Sequence, residues 1–376
     1  MKFVVEHDIL ADAVTWAVRS LSNRPLLPIL TGVLMNVTSN ELTLSSFDYE
    51  ISTKVTVNVE VDEPGQVLIF GRLLAEISRS LPNKPVTIFA DNRKVEIICG
   101  SSRFLLQQMP MVDYPTLPTF PEVTGVISGD VFTQAVSQVT IAADKGNILP
   151  ILTGVRVEIK GNRLRLLATD RYRLALRELI WSPNVVSISH VVLIPARTLL
   201  DIAKTLGALG SVQVAFGSAT ESEGRVGFEA GQRCATTRLL DGEYPKVTSI
   251  FPTSVDTVAI IKTTTFCEAV KRVSLVAERN TPVRLRFSEG QVTIEAGQSD
   301  DAHASEVVEV TLTGPELEIA FNTQFLFDGL TAIGTTYARM SFTQSSHPAV
   351  LSGQVEVDGD ANESYRYVLM PVRFAS

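Results

Sequence analysis

The sequence predicts an α+β fold in which one domain occurs three times in series. The string LPILTGV stands at residues 27–33 and again, letter for letter, at residues 149–155. Segments with helical spacing of apolar residues occur in pairs, separated by segments in which apolar and polar residues alternate. The 376 residues also divide into three parts of about 125, a common domain size. Repeats of this length indicate whole domains rather than the short units of a solenoid.

The first two copies match well beyond the shared string. Overlaying residues 26–50 on residues 148–172 pairs Asn40 with Asn162, Leu42 with Leu164, Leu44 with Leu166 and Asp48 with Asp170. Further on, VLIFGRLLAEISRSL (67–81) resembles VLIPARTLLDIAKTL (192–206). Because aspartate favours turns, the recurring Asp48 and Asp170 indicate a shared turn or cap rather than a catalytic role.

A third, more diverged copy fills the rest of the chain. VRLRFSEGQVTIEA (283–296) overlays residues 33–46, and IAFNTQFLFDGLTAI (319–333) overlays the second helical segment of the earlier copies. The proline-bearing stretches PTLPTFPEV and FPTSVDT are candidate linkers. They predict domains at residues 1–121, 122–252 and 253–376.

Each copy has two predicted helices. The first is predicted at residues 7–21, 128–144 and 263–278, and the second at residues 71–81, 196–206 and 322–333. Between them, segments such as residues 42–61 alternate apolar and polar positions and are rich in β-branched residues. This pattern indicates half-buried antiparallel strands, so each domain is predicted to pack two helices on antiparallel sheets.

The composition, 45% hydrophobic and 20% charged, is that of a globular protein. No apolar run approaches the roughly 18 residues of a membrane helix, and the start MKFVVEHDIL carries acids where a signal peptide is apolar. A cytoplasmic protein with no membrane partner is therefore predicted. Cys99, Cys234 and Cys267 are widely separated and form no CxxC, so three reduced thiols are expected.

Signatures of catalysis are missing from the sequence. It contains no GxGxxG after a strand, no phosphate loop, no HExxH and no GxSxG. Four histidines occur outside any recognised metal or triad spacing: His7, His190, His303 and His347. The adjacent acids Asp300 and Asp301 lie in a polar run typical of a solvated loop. We predict no catalytic residues, no metal and no cofactor.

The net charge of −8 by itself argues against a nucleic-acid partner, but the bases are unevenly placed. Many lie on or just after the predicted helices: Arg19, Arg24, Arg72, Arg79, Lys145, Arg197, Lys204, Lys271, Arg272 and Arg279. Bases near helix C-termini complement the helix dipole, which explains part of this pattern. It explains less well why Arg72 and Arg197 recur in corresponding helices. A second interpretation of this placement is that the helices form one basic face while the strands carry the acids.

In its motifs the chain resembles the beta subunit of bacterial DNA polymerase III, the sliding clamp. The resemblance spans the whole length and is carried in order by the MKF start, RPLLPIL (24–30), ATDRYRLAL (168–176), LLDGEYPKV (239–247), FNTQFLFDGL (321–330) and YRYVLMPVR (365–373). It implies three clamp domains per chain and a ring-shaped head-to-tail homodimer whose helices line the central hole. Basic helices would then face DNA and acidic sheets would face solvent.

The resemblance also implies three sets of site residues. DNA would be contacted by Arg24, Arg72, Lys145 and Gly146, with Arg197 as the equivalent in the second domain. Some relatives have aromatic residues where this chain has Pro150 and Ile151. The dimer interface would be formed by Arg103, Phe104 and Leu106 on one side and by Arg272 and Leu275 on the other.

The third set matches a pocket for short peptide motifs of partner proteins. Its residues are Leu152, Thr169, Tyr172, Arg173, Leu174, Pro245, Ile250, Asn322, Phe325, Val368, Leu369, Met370, Pro371, Val372 and Arg373. Arg171 stands where many relatives have a smaller residue, so the rim of the pocket differs here. An apolar cleft with a few polar groups suits an extended peptide with two or three apolar anchors.

The leading prediction is a non-catalytic DNA sliding clamp that confers processivity. Its implied partners are double-stranded DNA bound without sequence specificity, a second copy of the chain, the polymerase alpha subunit, the clamp loader, and other polymerases and repair proteins that carry clamp-binding motifs. Two alternatives are a multi-domain α+β hydrolase with an unrecognised carboxylate site and a peptide-binding scaffold that does not encircle DNA. Catalytic sites usually occupy one domain, whereas the features here repeat.

Overall fold

The computed structural model describes residues 1–91, 93–146, 149–217, 224–252, 254–277, 281–299 and 302–373. Its α-helices are α1 (His7–Ala17), α2 (Gly71–Ser80), α3 (Gly129–Thr140), α4 (Ala196–Leu206), α5 (Thr263–Val273) and α6 (Thr323–Ile333). Two helices thus occur in each copy of the repeat. Three residues named in the sequence analysis, Arg279, Asp300 and Asp301, lie outside the described residues.

The strands, in chain order, are β1 (Lys2–Val5), β2 (Gly32–Val37), β3 (Glu41–Phe47), β4 (Ile51–Asn58), β5 (Glu60–Glu63), β6 (Gly65–Phe70), β7 (Val86–Ala90), β8 (Lys94–Cys99), β9 (Ser102–Gln107), β10 (Gly125–Ser128), β11 (Gly154–Lys160), β12 (Arg163–Thr169), β13 (Arg173–Ile180), β14 (Ser182–Pro183), β15 (Ser189–Pro195), β16 (Ser211–Phe216), β17 (Arg225–Ala230), β18 (Arg233–Arg238), β19 (Thr257–Lys262), β20 (Pro282–Ser288), β21 (Gln291–Ser299), β22 (Ala302–Glu309), β23 (Thr311–Thr313), β24 (Leu317–Asn322), β25 (Tyr337–Phe342), β26 (Ala349–Gln354) and β27 (Asn362–Leu369). Every strand pairing is antiparallel among the described residues, which confirms the predicted α+β class.

The helix predictions are confirmed, with shorter first helices than expected. Helices α1 and α5 end at Ala17 and Val273, and each continues as one turn of 3₁₀ helix. Tightening of the last turn is common where a helix gives way to a loop. Helix α6 begins at a capping Asn322, whose side chain accepts a hydrogen bond from the Phe325 N–H, and is followed by Gly334 at φ +68°.

The chain divides into two compact units, and the first contains two sheets. It comprises Met1–Asp130, Ser182–Val185 and Ile202–Leu239. A five-stranded sheet has the order β5-β1-β7-β8-β9, and a nine-stranded sheet has the order β14-β10-β16-β17-β18-β4-β3-β2-β6. Strand β18 of the second copy pairs with β4 of the first, so one sheet crosses the repeat boundary. Helix α1 packs on α2 and buries Trp16, whose indole N–H donates to the Lys54 carbonyl.

The second unit repeats this arrangement with the later copies. It comprises Val131–Trp181, Val186–Asp201 and Leu240–Ser376. Its nine-stranded sheet has the order β15-β11-β12-β13-β27-β26-β25-β19-β23, and its four-stranded sheet the order β22-β21-β20-β24. Strands β13 and β27 join the second copy to the third, with Arg173 opposite Leu369 and Leu174 opposite Val368. Helix α5 packs on α6 and on β22.

The repeated LPILTGV string performs the same structural task in both places. Pro28–Thr31 and Pro150–Thr153 each form a 3₁₀ turn, closed by a threonine hydroxyl that donates to the proline carbonyl at 2.7 and 2.6 Å. The glycine that follows begins a strand. A Cβ at Gly32 would lie 2.7 Å from the Leu68 side chain, and one at Gly154 would lie 2.8 Å from the Leu193 side chain, so any larger residue would displace a leucine of the neighbouring strand.

Candidate functional sites

The hairpin turn between β12 and β13 carries the exposed part of the predicted pocket. Asp170 Oδ1 accepts hydrogen bonds from the N–H groups of Tyr172 and Arg173, both at 3.1 Å. Asp48 Oδ1 makes the same two bonds in the first copy, at 3.0 and 2.8 Å. The residue after each aspartate has a positive φ, +80° at Arg171 and +75° at Tyr49. The predicted shared turn role of the two aspartates is confirmed.

Arg173 joins this turn to helix α6. Its side chain is 4% exposed, Nε lies 2.8 Å from Asp170 Oδ2, and Nη1 lies 2.7 Å from Asp328 Oδ2. The guanidinium also lies over the Phe325 ring, 4.1 Å from its centroid. Burial opposes the charge, but Tyr367 and hydrogen bonds to Asp328 and Asp170 outweigh it and raise the pKa of Arg173. The arginine is therefore a buried, charged residue that connects the turn to helix α6.

Accessible apolar side chains lie beside Arg173. Tyr172 is 58% exposed and stacks on the half-buried Phe325, with ring centroids 6.5 Å apart. Met370 is 38% exposed, and its backbone N–H donates to the Tyr172 carbonyl at 2.9 Å. Val372, exposed at 36%, is held by a hydrogen bond from its N–H to the Ala320 carbonyl. These three residues form an apolar, solvent-facing edge.

Beneath that edge lies a hydrophobic cluster. It buries Leu152, Leu167, Leu174, Leu176, Leu193, Tyr244, Val247 and Val368, with Ile151, Leu240, Ile250, Phe251 and Val350 packed against it. The Tyr244 hydroxyl accepts a hydrogen bond from the Thr169 N–H at 3.0 Å, and burial raises its pKa. The cluster is therefore a buried apolar floor, and the bond from Thr169 to Tyr244 connects it to the turn that carries Tyr172.

The structure separates the predicted pocket residues by exposure. Leu152, Thr169, Arg173, Leu174, Val368 and Leu369 are buried, so they form or support the floor. Ile250, Asn322, Phe325 and Pro371 are half-buried. Tyr172, Met370, Val372, Pro245 and Arg373 are exposed, as is Arg171. Sequence reasoning omitted Tyr244, Val247 and Asp328, although all three lie inside the quoted motifs LLDGEYPKV and FNTQFLFDGL and could have been found there.

The predicted DNA contacts of the first unit have different environments. Arg24 is exposed, and its side chain has no hydrogen-bond or ion-pair partner among the described residues. Arg72 Nη2 instead donates to the Ser22 carbonyl at 2.8 Å and to Asn23 Oδ1 at 2.6 Å. Arg72 therefore holds, from helix α2, the loop that presents Arg24.

Three further predicted contacts belong to the second unit. Lys145 and Gly146 are exposed, and the Gly146 N–H donates to Asp144 Oδ1 at 2.9 Å. Arg197 is exposed at the second position of α4. Pro150 is exposed, whereas Ile151 packs against the hydrophobic cluster. Ile151 is thus partly a core residue.

The predicted dimer residues lie on one edge strand, β9, and on helix α5 with the 3₁₀ turn that follows it. On β9, Phe104 and Leu106 point inward opposite Ile97 and Val95, and the exposed Arg103 pairs with Glu96. Leu105, which sequence reasoning missed, is the outward apolar residue at 57% exposure, as strand alternation requires.

The other predicted side lies on α5 and the 3₁₀ turn that follows it, and both contact β22. Arg272 makes a two-point contact with Glu306, at 3.0 and 2.5 Å, and this hydrogen bonding lowers the pKa of Glu306. Leu275 is 82% exposed, and the neighbouring Val307 of β22 is 55% exposed. An exposed apolar edge strand favours pairing with another chain.

The described residues contain neither a candidate metal site nor a helix that could span a membrane. Among the described residues, no group of three or more His, Cys, Asp or Glu side chains is placed so that it could hold a metal ion. Within the same residues, every helix is too short or too polar to cross a membrane.

Comparison with known proteins identifies relatives along the whole chain. The DNA polymerase III beta subunit family matches in three parts: its N-terminal domain at residues 1–118, its central domain at 126–246 and its C-terminal domain at 248–373. The beta sliding clamp of Streptomyces coelicolor is 52% identical over 375 residues, which cover 100% of both chains.

Solved structures give the same result. The DNA polymerase sliding clamp of Bacillus subtilis superposes with a TM-score of 0.91 at 28% identity, covering 100% of both chains. A Pseudomonas aeruginosa sliding clamp bound to griselimycin superposes equally well, with a TM-score of 0.91, 28% identity and 100% of both chains covered. With three domain matches in order and a full-length relative at 52% identity, the chain belongs to the DNA polymerase III beta subunit family, the sliding clamps.

Proposed function

We propose that two copies of this chain close head to tail into a ring around duplex DNA and tether the replicative polymerase to it. Family membership makes the chain a non-catalytic sliding clamp, so the hydrolase alternative falls. The observation that carries the proposal is the repetition of one helix-and-sheet domain, matched by the family in all three copies. We place the domain boundaries after residues 121 and 252, and the site of action in the cytoplasm.

Retention on DNA requires a ring for a quantitative reason. Non-specific phosphate contacts alone give dissociation constants of about 10⁻⁴ to 10⁻⁶ M at physiological salt, too weak to hold a polymerase through long synthesis. Topological linkage supplies the retention, and phosphate contacts without base readout leave the ring free to slide. Since the sequence has no phosphate loop, opening the ring falls to a separate ATP-driven loader.

The test compares retention on circular and linear DNA. The chain is loaded by its clamp loader onto a circular plasmid, half of the sample is linearised, and bound protein is followed by gel filtration. We expect retention on the circle and rapid loss from the linear form. Equal loss from both forms would contradict the ring and favour the scaffold that does not encircle DNA.

We further propose that the apolar edge above the hydrophobic cluster receives short peptides of partner proteins. Tyr172 and Met370 are accessible apolar groups beside Phe325, over a floor that includes Leu174 and Val368. Such a surface suits an extended peptide with a few apolar anchors, and an unbranched Met adapts to several sequences. A relative of the same fold with griselimycin bound supports ligand binding by this fold.

Two substitutions of exposed residues test this surface. Tyr172→Ala and Met370→Ala should each weaken binding of a synthetic polymerase-tail peptide about tenfold or more, because central apolar anchors dominate such interfaces. Fluorescence anisotropy measures the affinity. Val355→Ala, at a residue 69% exposed, is the matched control and should bind normally. Leu174→Ala is less suitable, since Leu174 is 1% exposed and its truncation creates a core cavity. Unchanged affinity in both test variants would show that the peptide binds elsewhere.

A further inference from the structure

A second concave site lies in the nine-stranded sheet of the second unit. It is a cleft of about 740 Å³ on β11, β12, β13 and β27, within the size range of ligand sites. Its lining includes Glu158, Lys160, Arg163, Arg165 and Glu178. None of these residues has a role in the clamp functions described above.

The acids of the cleft already have partners. Glu158 pairs with Arg156 at 2.8 Å and with Arg165 at 3.5 Å. Glu178 pairs with Arg165 at 2.7 Å. The remaining acid in the lining, Glu363, faces Arg366 at 3.9 Å. Three carboxylates are thus matched by three guanidinium groups.

Two cations are left over. Lys160 and Arg163 line the cleft, are exposed, and form no ion pair among the described residues. They lie directly opposite each other across the β11–β12 hairpin. Like charges in directly opposite positions destabilise a hairpin, so the pair carries a cost that a bound anion would remove.

The hairpin turn that carries these cations is held from behind. The Gly161 N–H donates to the Ile188 carbonyl at 2.9 Å, and the Gly161 carbonyl accepts from the Trp181 indole N–H at 2.9 Å. The Trp181 N–H donates to the Asn162 carbonyl at 3.0 Å. A turn held at three points presents its charges in a fixed position, which lowers the entropic cost of binding.

The cleft shares a sheet face with the proposed peptide surface. Along β12, Arg163 and Arg165 have the same parity as Leu167, which lies in the hydrophobic cluster. Because alternate strand residues point to the same side, all three face the same way. Arg163 lies four residues from Leu167, a span of about 13 Å that an extended peptide crosses in about four residues.

We propose that Lys160 and Arg163 bind acidic residues that flank the apolar anchors of the same partner peptide. Ile180, 62% exposed in the same lining, would contact the aliphatic parts of that segment. This inference rests on the proposed peptide surface and adds a second determinant to it. Partners with an acidic flank would bind more tightly than partners with the same anchors alone.

The test uses the full-length chain and one labelled polymerase-tail peptide in five forms: unmodified, with three glutamates added at the N-terminus or at the C-terminus, and with three lysines added at the N-terminus or at the C-terminus. Glutamates at one end should tighten binding about three- to tenfold, as expected for two exposed ion pairs, and lysines should not. Raising NaCl from about 0.05 M to about 0.5 M should remove the gain, because the screening length shortens.

Charge reversal locates the effect. The double variant Lys160→Glu with Arg163→Glu should bind the unmodified peptide normally and lose the gain from glutamates. The control Lys84→Glu with Lys94→Glu changes the net charge equally at exposed positions of the first unit and should keep the gain. Circular dichroism checks that both variants are folded.

The outcomes separate the two proposals. If the unmodified peptide fails to bind, the peptide surface itself is wrong. If it binds but glutamates give no gain, or the control variant loses the gain equally, the acidic-flank site is wrong and the peptide surface stands. Binding of a single-stranded oligonucleotide that is lost only in the Lys160 and Arg163 variant, without a glutamate effect, would overturn the proposal in favour of nucleic acid.

Discussion

Arg173 links a turn, a strand and a helix that are distant in sequence. Its guanidinium contacts Asp170, Asp328 and the Phe325 ring while only 4% of its side chain is exposed. Burying a charge is costly unless partners surround it, and here two carboxylates do. The contact holds Tyr172 beside Phe325, and so holds the peptide surface in shape.

Replacing Arg173 with methionine should lower the free energy of unfolding by about 3–5 kcal/mol, because Asp170 and Asp328 lose their buried counter-charge. Urea unfolding measures the loss. Arg171→Ala is the matched control: this neighbouring arginine is exposed, and it should change stability by no more than about 0.5 kcal/mol. A loss below about 1 kcal/mol in the Arg173 variant would show that these contacts do not stabilise the fold.

At the scale of elements, the two LPILTGV strings show one turn used in different surroundings. Both form a 3₁₀ turn and a close glycine contact. The loop before the first string carries Arg24 and is held by Arg72 from helix α2. The turn of the second string buries Leu152 in the hydrophobic cluster. The same local structure therefore supports a proposed DNA contact in one copy and a peptide floor in the other.

Arg24 and Arg72 should respond differently to alanine substitution. Arg24→Ala should reduce the salt dependence of duplex binding by about one phosphate contact and leave thermal stability unchanged. Arg72→Ala should weaken DNA binding and also lower stability, because the loop at Ser22 and Asn23 loses two hydrogen bonds. Anisotropy on a short duplex at several salt concentrations measures binding. The exposed Arg93→Ala is the control; identical behaviour of all three variants would refute the assignment.

At the scale of the whole molecule, sheets extend across repeat boundaries. Strand β18 continues the sheet of β4, and β27 continues the sheet of β13. Strand β9 of the first unit and β22 of the second remain as edges with exposed apolar residues, Leu105 and Val307. If these two edges meet in the proposed head-to-tail dimer, two chains are joined by strand pairing in the same way as the copies within one chain.

Leu275→Asp tests the proposed dimer. Leu275 is 82% exposed within one chain, so the substitution should cost little folding stability, whereas a charge buried in an interface should weaken association more than tenfold. Sedimentation velocity over a concentration series measures the dimer dissociation constant. Val355→Asp, also at an exposed apolar residue, should remain dimeric. A normal dimer in the Leu275 variant would move the interface elsewhere.

Much of the fold was predictable because its signals are local. The spacing of apolar residues located the helices, and for α4 it predicted both the first and the last residue. Repetition showed that one domain is used three times. The turn role of Asp48 and Asp170 was also predictable. Each carboxylate accepts hydrogen bonds from the N–H groups two and three residues further along the chain, so the whole interaction lies within four residues. The family motifs, read in order, identified the clamp family.

Tertiary structure decided what depends on residues far apart in the chain. Arg173 meets Asp328 across 155 positions, and β4 meets β18, pairings that no local pattern specifies. Burial also had to be seen: Leu174 and Val368 form a floor while Tyr172 and Met370 remain accessible, although all four come from two short motifs. Sequence determines local backbone preference and repetition, whereas exposure and charge pairing arise only when distant segments pack together.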